Sequence, residues 1–272
     1  MSYAFLVWSA PGKGKTTFAL SGEGRKWYAE LDAGSYSRAA AGLRLEPDEI
    51  ELHKYYVPLT SLLDVARIDT AMVGASGKGP VQFVHSLKGW DEKYMEFLSD
   101  YIDAVKNESI DSVIIDTSTR LWEMARNASM QRIQQTRPAE QWSANMRTPE
   151  YQEANDQIAQ IVEAAKMFEK HLVLVAHQKE IWQGGDATGK FQVDGSKHIP
   201  AMMDLVMRFD IEDKAPVAFI EKGPMRLTGM KLTAPTLGYC ADLLDAAAAI
   251  QRSGLEMPDS PDAVIELAKV LA

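Results

Sequence analysis

The sequence predicts an α/β fold in which a central, mostly parallel β-sheet is flanked by helices, with a small helical unit at the C-terminus. Three observations carry this expectation. Apolar runs without polar alternation recur along the chain, as strands buried on both faces require. Amphipathic helical stretches separate them, and alternating strands and helices build a parallel sheet through crossover helices. A turn rich in glycine and lysine joins the first such strand to the first helical stretch.

Taken in order, the strand-like runs are Tyr3 to Trp8, Trp27 to Leu31, Val113 to Ile115, Leu172 to Ala176, Leu205 to Phe209 and Val217 to Ile220. The clearest helix is Tyr151 to Lys170, where Ile158, Ile161, Val162, Ala165 and Phe168 recur at spacings of three and four. Residues 35–90 mix short apolar runs with turn signals and give no clear assignment. The stretches Gln134 to Glu150, interrupted by Pro138 and Pro149, and Gln183 to Pro200, with Gly184, Gly185, Gly189 and Gly195, read as long loops. Loops of that length inside a domain are commonly functional or mobile. Ala241 to Gln251 and Pro261 to Ala272 read as two helices joined by the turn-rich segment GLEMPDSPD. The expected division is a main α/β domain over residues 1–235 and a helical appendage over 236–272.

Composition limits the functional classes. The 272 residues carry a formal net charge of -9, against coating of duplex DNA by bulk electrostatics, although a local groove for nucleic acid remains compatible. Residues 120–150 are mildly basic, with Arg120, Arg126, Arg132, Arg137 and Arg147 against Glu123, Glu140 and Glu150. The single cysteine, Cys240, has no partner for an internal disulfide, which fits a reducing cytoplasm. No segment approaches the roughly 18 apolar residues of a membrane span, so neither insertion nor export is expected.

The most specific motif is the segment SAPGKGKTT, Ser9 to Thr17, between a strand and a helix. It follows the phosphate-binding pattern GxxxxGK[ST], with Ser9 in place of the first glycine. Ser9, Ala10, Pro11, Gly12, Lys13, Gly14, Lys15, Thr16 and Thr17 are the candidate nucleotide-binding residues. Gly12 and Gly14 let backbone amides face the phosphates, Lys15 reaches the β and γ phosphates, and the Thr16 hydroxyl holds magnesium. The dipole of the following helix adds to this. ATP and Mg2+ are the expected ligands.

Three further strand ends supply chemistry. The run DSVIID ends on Asp116, the form of a Walker B strand whose carboxylate orders magnesium beside Thr16. LVLVAHQKE delivers His177 and Gln178. Should its strand lie between the first strand and that of Asp116, one of the pair faces the γ-phosphate. Thr117 follows Asp116, so the acid that orients the attacking water must come from elsewhere. Glu30 and Asp32, at the end of KWYAELD, are the two candidates. A GTPase would need a base-reading NKxD motif, which HQKE lacks, and a deviant Walker loop would need a lysine where Ala10 stands.

The combination of APGKGKTT, an acid after the second strand, IIDTSTRLWE and VLVAHQKE resembles the RecA-like P-loop ATPases of bacteriophages, RecA-core or AAA-type proteins of phage recombination. The resemblance covers about residues 3–235. It implies a RecA-like P-loop NTPase fold, ATP hydrolysis, head-to-tail homo-oligomers, single-stranded DNA as partner, and the host cytoplasm as location. It also implies that Gln183 to Lys197 touches DNA, and that Lys222 or Arg226 reaches the ATP of a neighbouring subunit. Independently, Trp142, Trp182 and Phe191 fall in or directly beside the two long polar stretches, where aromatic rings can stack on bases while Arg137 and Arg147 meet phosphates. Two other classes fit the same P-loop: a small-molecule phosphotransferase and a nucleotide-gated interaction switch.

Overall fold

Apolar side chains on both faces place the first strand at the centre of a large sheet. The computed structural model describes residues 1–43, 45–46, 48–56, 70–73, 82–138 and 148–271. From the N-terminus the elements are β1 (Ala4–Ser9), α1 (Lys15–Leu20), β2 (Lys26–Glu30), α2 (Ser35–Ala40), β3 (Ile50–Lys54), β4 (Thr70–Val73), β5 (Gln82–His85), α3 (Trp90–Lys106), β6 (Ser112–Asp116) and α4 (Ser118–Thr136). They continue with α5 (Thr148–Met167), β7 (His171–Gln183), β8 (Asp186–Val193), α6 (Ile199–Met202), β9 (Leu205–Glu212), β10 (Ala215–Lys222), β11 (Lys231–Thr233), α7 (Leu237–Ser253) and α8 (Pro261–Leu271).

The strands are ordered β11-β10-β9-β1-β7-β6-β2-β3. Every pairing from β9 to β3 is parallel. β10 and β11, at one edge, are antiparallel. The strand that delivers His177 therefore lies between the P-loop strand and the Asp116 strand, the condition set by the sequence reading. β4 and β5 form a separate antiparallel pair.

Alternation along each strand builds two cores. Leu6, Val113, Ile115, Leu172 and Leu174 face α3, α4 and α5, meeting Phe97, Tyr101, Leu121, Ile158 and Val162. Phe5, Val7, Ile114, Val173 and Val175 face the other side, meeting Phe18 of α1 and Leu237, Cys240, Leu243, Leu244 and Ile250 of α7. Each such buried side chain contributes about 1.5–3 kcal/mol. The C-terminal helices thus share the core of the sheet. Thr236 caps α7 by accepting from the Tyr239 amide, and Gly254 ends it at a φ of 73°. Among the described residues no helix is long and apolar enough to cross a membrane.

Two expectations need correction. Gln183 to Pro200 is not a long loop: β7 continues past Ala176 to Gln183 and returns as β8 in an antiparallel hairpin. Gly184 and Gly185, both at positive φ, form its two-residue turn. Paired glycines between polar, alternating residues are a hairpin signal, and polarity disguised it as a loop. The stretch Gln134 to Glu150 begins inside α4, which runs to Thr136, and ends inside α5. Residues 139–147, with Trp142 and Arg147, lie outside the described residues.

Candidate nucleotide site

The P-loop leaves β1 at Ser9 and enters α1 at Lys15. Gly12 and Gly14 hold φ values of 77° and 92°, a region glycine occupies without strain. A Cβ on Gly14 would also stand 3.2 Å from Cβ of Pro216, because the start of β10 packs against the loop. Lys15 is 6% exposed, and its ammonium donates to Ser9 O at 3.0 Å, Ser9 Oγ at 3.1 Å and Ala10 O at 2.9 Å. Burial lowers its pKa to about 8, against the opposing pull of Asp116 and Asp32. Such a desolvated cation bound only by neutral oxygens is suited to an anion.

Opposite it, the Thr16 hydroxyl donates to Asp116 Oδ2 at 2.8 Å, and the Tyr28 hydroxyl donates to the same oxygen at 2.6 Å. Asp116 ends β6, and Thr117 caps α4 by accepting from the Arg120 amide, so the carboxylate is fixed at the strand tip. Burial raises its pKa, and the bonds from Tyr28 and Thr16 oppose the rise. One hydroxyl and one carboxylate suit magnesium, a hard cation that takes one or two protein oxygens and completes its shell with water and phosphate. Among the described residues no cluster of three His, Cys, Asp or Glu side chains offers a closed metal cage.

Asp32 and His177 reach the same cleft. His177 Nε2 lies 2.5 Å from Asp32 Oδ2, while Arg120 Nε donates to Asp32 Oδ1 at 3.3 Å. The hydrogen bond from His177 is the main reason the Asp32 carboxyl sits below its usual pKa, with Arg120 adding to it against burial. The cleft has a volume of about 470 Å3 and is lined by the loop from Pro11 to Thr17, by Asp32, Asp116 and His177, and by Arg38, Ile211 and Pro216.

The structure separates both candidate pairs. Glu30 is 2% exposed and turned into packing, where Oε1 accepts from the Tyr36 amide at 3.0 Å and Oε2 from the Tyr56 hydroxyl at 2.5 Å. Of the two acids, Asp32 lines the cleft. Because β7 continues through this point, alternation sends His177 and Gln178 to opposite faces. Gln178 lines a second cavity of about 670 Å3 with Lys190, Phe191 and Arg208. Lys222 donates to the carbonyls of Pro200, Ala201 and Met203, closing the end of α6, and Arg226 pairs with Glu256. Lys222 is thereby occupied within its own chain.

Sequence reasoning missed Tyr28, Arg120 and Thr119. Tyr28 shares a strand face with Glu30 two residues on, so period-two alternation placed it beside the Asp116 strand tip. Thr119 receives the His177 amide at 3.1 Å and donates to Asp194 O at 2.8 Å, tying the cleft to the hairpin. No sequence pattern marks that residue.

No curated protein is significantly similar in sequence. Among solved structures, the RadB recombinase is similar at 14% identity, over 85% of this chain and 86% of that one, with a TM-score of 0.44. A KaiC-like protein from the hyperthermophilic archaeon Pyrococcus horikoshii OT3 is similar at 12% identity, over 85% and 84%, with a TM-score of 0.44. A family model described as an AAA domain matches residues 1–234. With its P-loop, its Asp116 strand tip and this match over most of its length, the chain belongs to the AAA domain family, whose members are generally ATPases.

Proposed function

We propose that the chain is a RecA-like ATPase of the bacteriophage recombination class, which binds ATP with magnesium and couples hydrolysis to the handling of single-stranded DNA in recombination, repair or replication. The observation that carries the nucleotide reading is the buried Lys15 ammonium, facing the Thr16–Asp116 pair across one cleft that also holds Asp32 and His177. In this reading Lys15 binds the β and γ phosphates, and Thr16 and Asp116 hold magnesium, which supplies charge neutralisation at the phosphates. Asp32 orients the attacking water. His177 fixes the Asp32 carboxylate and faces the γ-phosphate, so it is the sensor of the pair.

The DNA reading rests on the β7–β8 hairpin. Trp182 is 65% exposed and Phe191 46% exposed, and Lys190 lines the second cavity together with Phe191. Exposed rings next to ammonium groups form a stacking platform for unpaired bases. Thr119 and the Asp194–His177 backbone bond join that hairpin to the cleft, a route for coupling. Head-to-tail assembly of several copies in the cytoplasm completes the reading.

The test is magnesium-dependent ATP hydrolysis with and without single-stranded oligonucleotides, with Lys15→Ala as the blank. Stimulation that disappears in Lys15→Ala supports the reading. Hydrolysis at the normal rate in Lys15→Ala defeats the site assignment. ATP binding without DNA-stimulated turnover favours the interaction switch or the phosphotransferase instead.

A further inference from the structure

The P-loop carries two lysines, and the motif uses only Lys15. Lys13 lies two residues earlier, on the wall between the nucleotide cleft and the second cavity, and lines both. Its ammonium is drawn away from the cleft onto Asp210 of β9, at 2.9 Å. Both side chains are about one-third or more exposed, at 34% and 42%, so this pair is a weakly held surface contact.

Asp210 does not depend on Lys13. Its Oδ1 also accepts from the Ile211 amide at 2.8 Å, and Arg208 lies 4.0 Å from Oδ2. Departure of Lys13 therefore leaves a carboxylate that is half in solvent and still partnered. The opposing attraction is stronger: a nucleoside triphosphate in the cleft carries several negative charges, and bonds from an ammonium to phosphate oxygens are charge-assisted. The lysine stem is long and flexible, and its backbone already belongs to the loop that encloses the phosphates.

We propose that Lys13 is a second phosphate ligand of this P-loop, parked on Asp210 when the cleft is free of nucleotide and turned onto the terminal phosphate when a nucleoside triphosphate binds. This rests on the reading of the cleft as a nucleotide site. Asp210 is the competitor that sets how readily the lysine turns, and the contact distinguishes triphosphate from diphosphate.

The experiment measures the dissociation constants of magnesium ATP and ADP by titration calorimetry at fixed ionic strength, for wild type, Lys13→Ala, Asp210→Asn and the double variant. Lys13→Ala is expected to weaken ATP about tenfold, equivalent to about 1.4 kcal/mol, and ADP less than about threefold. Asp210→Asn tightens ATP about threefold, and the double variant binds like Lys13→Ala. Lys13→Gln, with its fold checked by circular dichroism, replaces Lys13→Ala if the latter is unfolded. Unchanged ATP affinity in the folded Lys13 variant overturns the proposal. So does equal weakening in Lys13→Ala and Asp210→Asn, which makes the pair a structural tie. Lys15→Ala in parallel separates the two readings: if it loses ATP while Lys13→Ala does not, only the role of Lys13 fails. If wild type and Lys15→Ala both show no ATP binding, the nucleotide reading fails with it.

Discussion

His177 and Asp32 are 145 positions apart in the chain, yet His177 Nε2 and Asp32 Oδ2 stand 2.5 Å apart over the tip of β6. The contact reaches across one strand, because β6 lies between β7 and β2. If the pair acts as one unit, Asp32→Asn and His177→Ala should each lower ATP turnover about 10²-fold or more. ATP affinity should change by no more than about threefold, and the double variant should be little worse than either single one. Steady-state kinetics beside equilibrium binding reads this. Strictly multiplicative losses would mean independent roles.

Gln178 follows His177 but faces the second cavity. Gln178→Ala is therefore expected to leave basal ATP turnover within about twofold of wild type. A loss as large as that of His177→Ala would transfer the sensor role to Gln178.

Tyr28→Phe removes the shorter of the two bonds to Asp116 Oδ2, at 2.6 Å against 2.8 Å from Thr16. Weakening the satisfaction of a buried carboxylate costs about 1–3 kcal/mol. Urea unfolding should show a lower midpoint with an unchanged slope. No change in the midpoint would mean that Thr16 alone satisfies the group.

Trp182→Ala and Phe191→Ala probe the hairpin. Each should weaken single-stranded DNA binding by about 1–3 kcal/mol, while changing stability by no more than about 0.5 kcal/mol because both rings are exposed. Fluorescence anisotropy with a labelled oligonucleotide, paired with thermal melts, separates the two effects. Unaltered binding in both variants would remove the hairpin from the DNA reading.

Cys240 sits in the core between α7 and the sheet, and burial pushes its thiol up to about 12. A thiol stays protonated below its pKa, so the reactive thiolate is scarce at pH 8. Native protein should leave a thiol-reactive dye unconsumed, and protein in urea should consume one equivalent. Rapid native labelling would show that α7 opens readily from the sheet.

The residue pattern was enough for the elements that depend on local chemistry. Unalternated apolar runs such as Phe5 to Val7 and Val113 to Ile115 must be buried on both faces, and this alone calls for a parallel sheet between helical layers. The glycines at 12 and 14 and the lysine and threonine after them mark a P-loop, because this spacing between a strand and a helix pairs a glycine turn with a lysine and a hydroxyl. The sheet order itself was only a condition in that reading, and folding met it.

The choice within each pair of candidates came from tertiary structure. Glu30 and Asp32 are both acids near one strand end, and local sequence does not say that Tyr36 and Tyr56 draw Glu30 into packing while His177 and Arg120 hold Asp32 at the cleft. His177 and Gln178 were equivalent until β7 proved to continue, which turned one to each face. Hydrogen-bond partners far apart in the chain, such as Tyr28 for Asp116 and Asp210 for Lys13, meet only when the strands are laid side by side. Sequence thus determined the loop, the sheet and the list of candidate groups, whereas long-range packing and strand alternation decided which of them share one cleft.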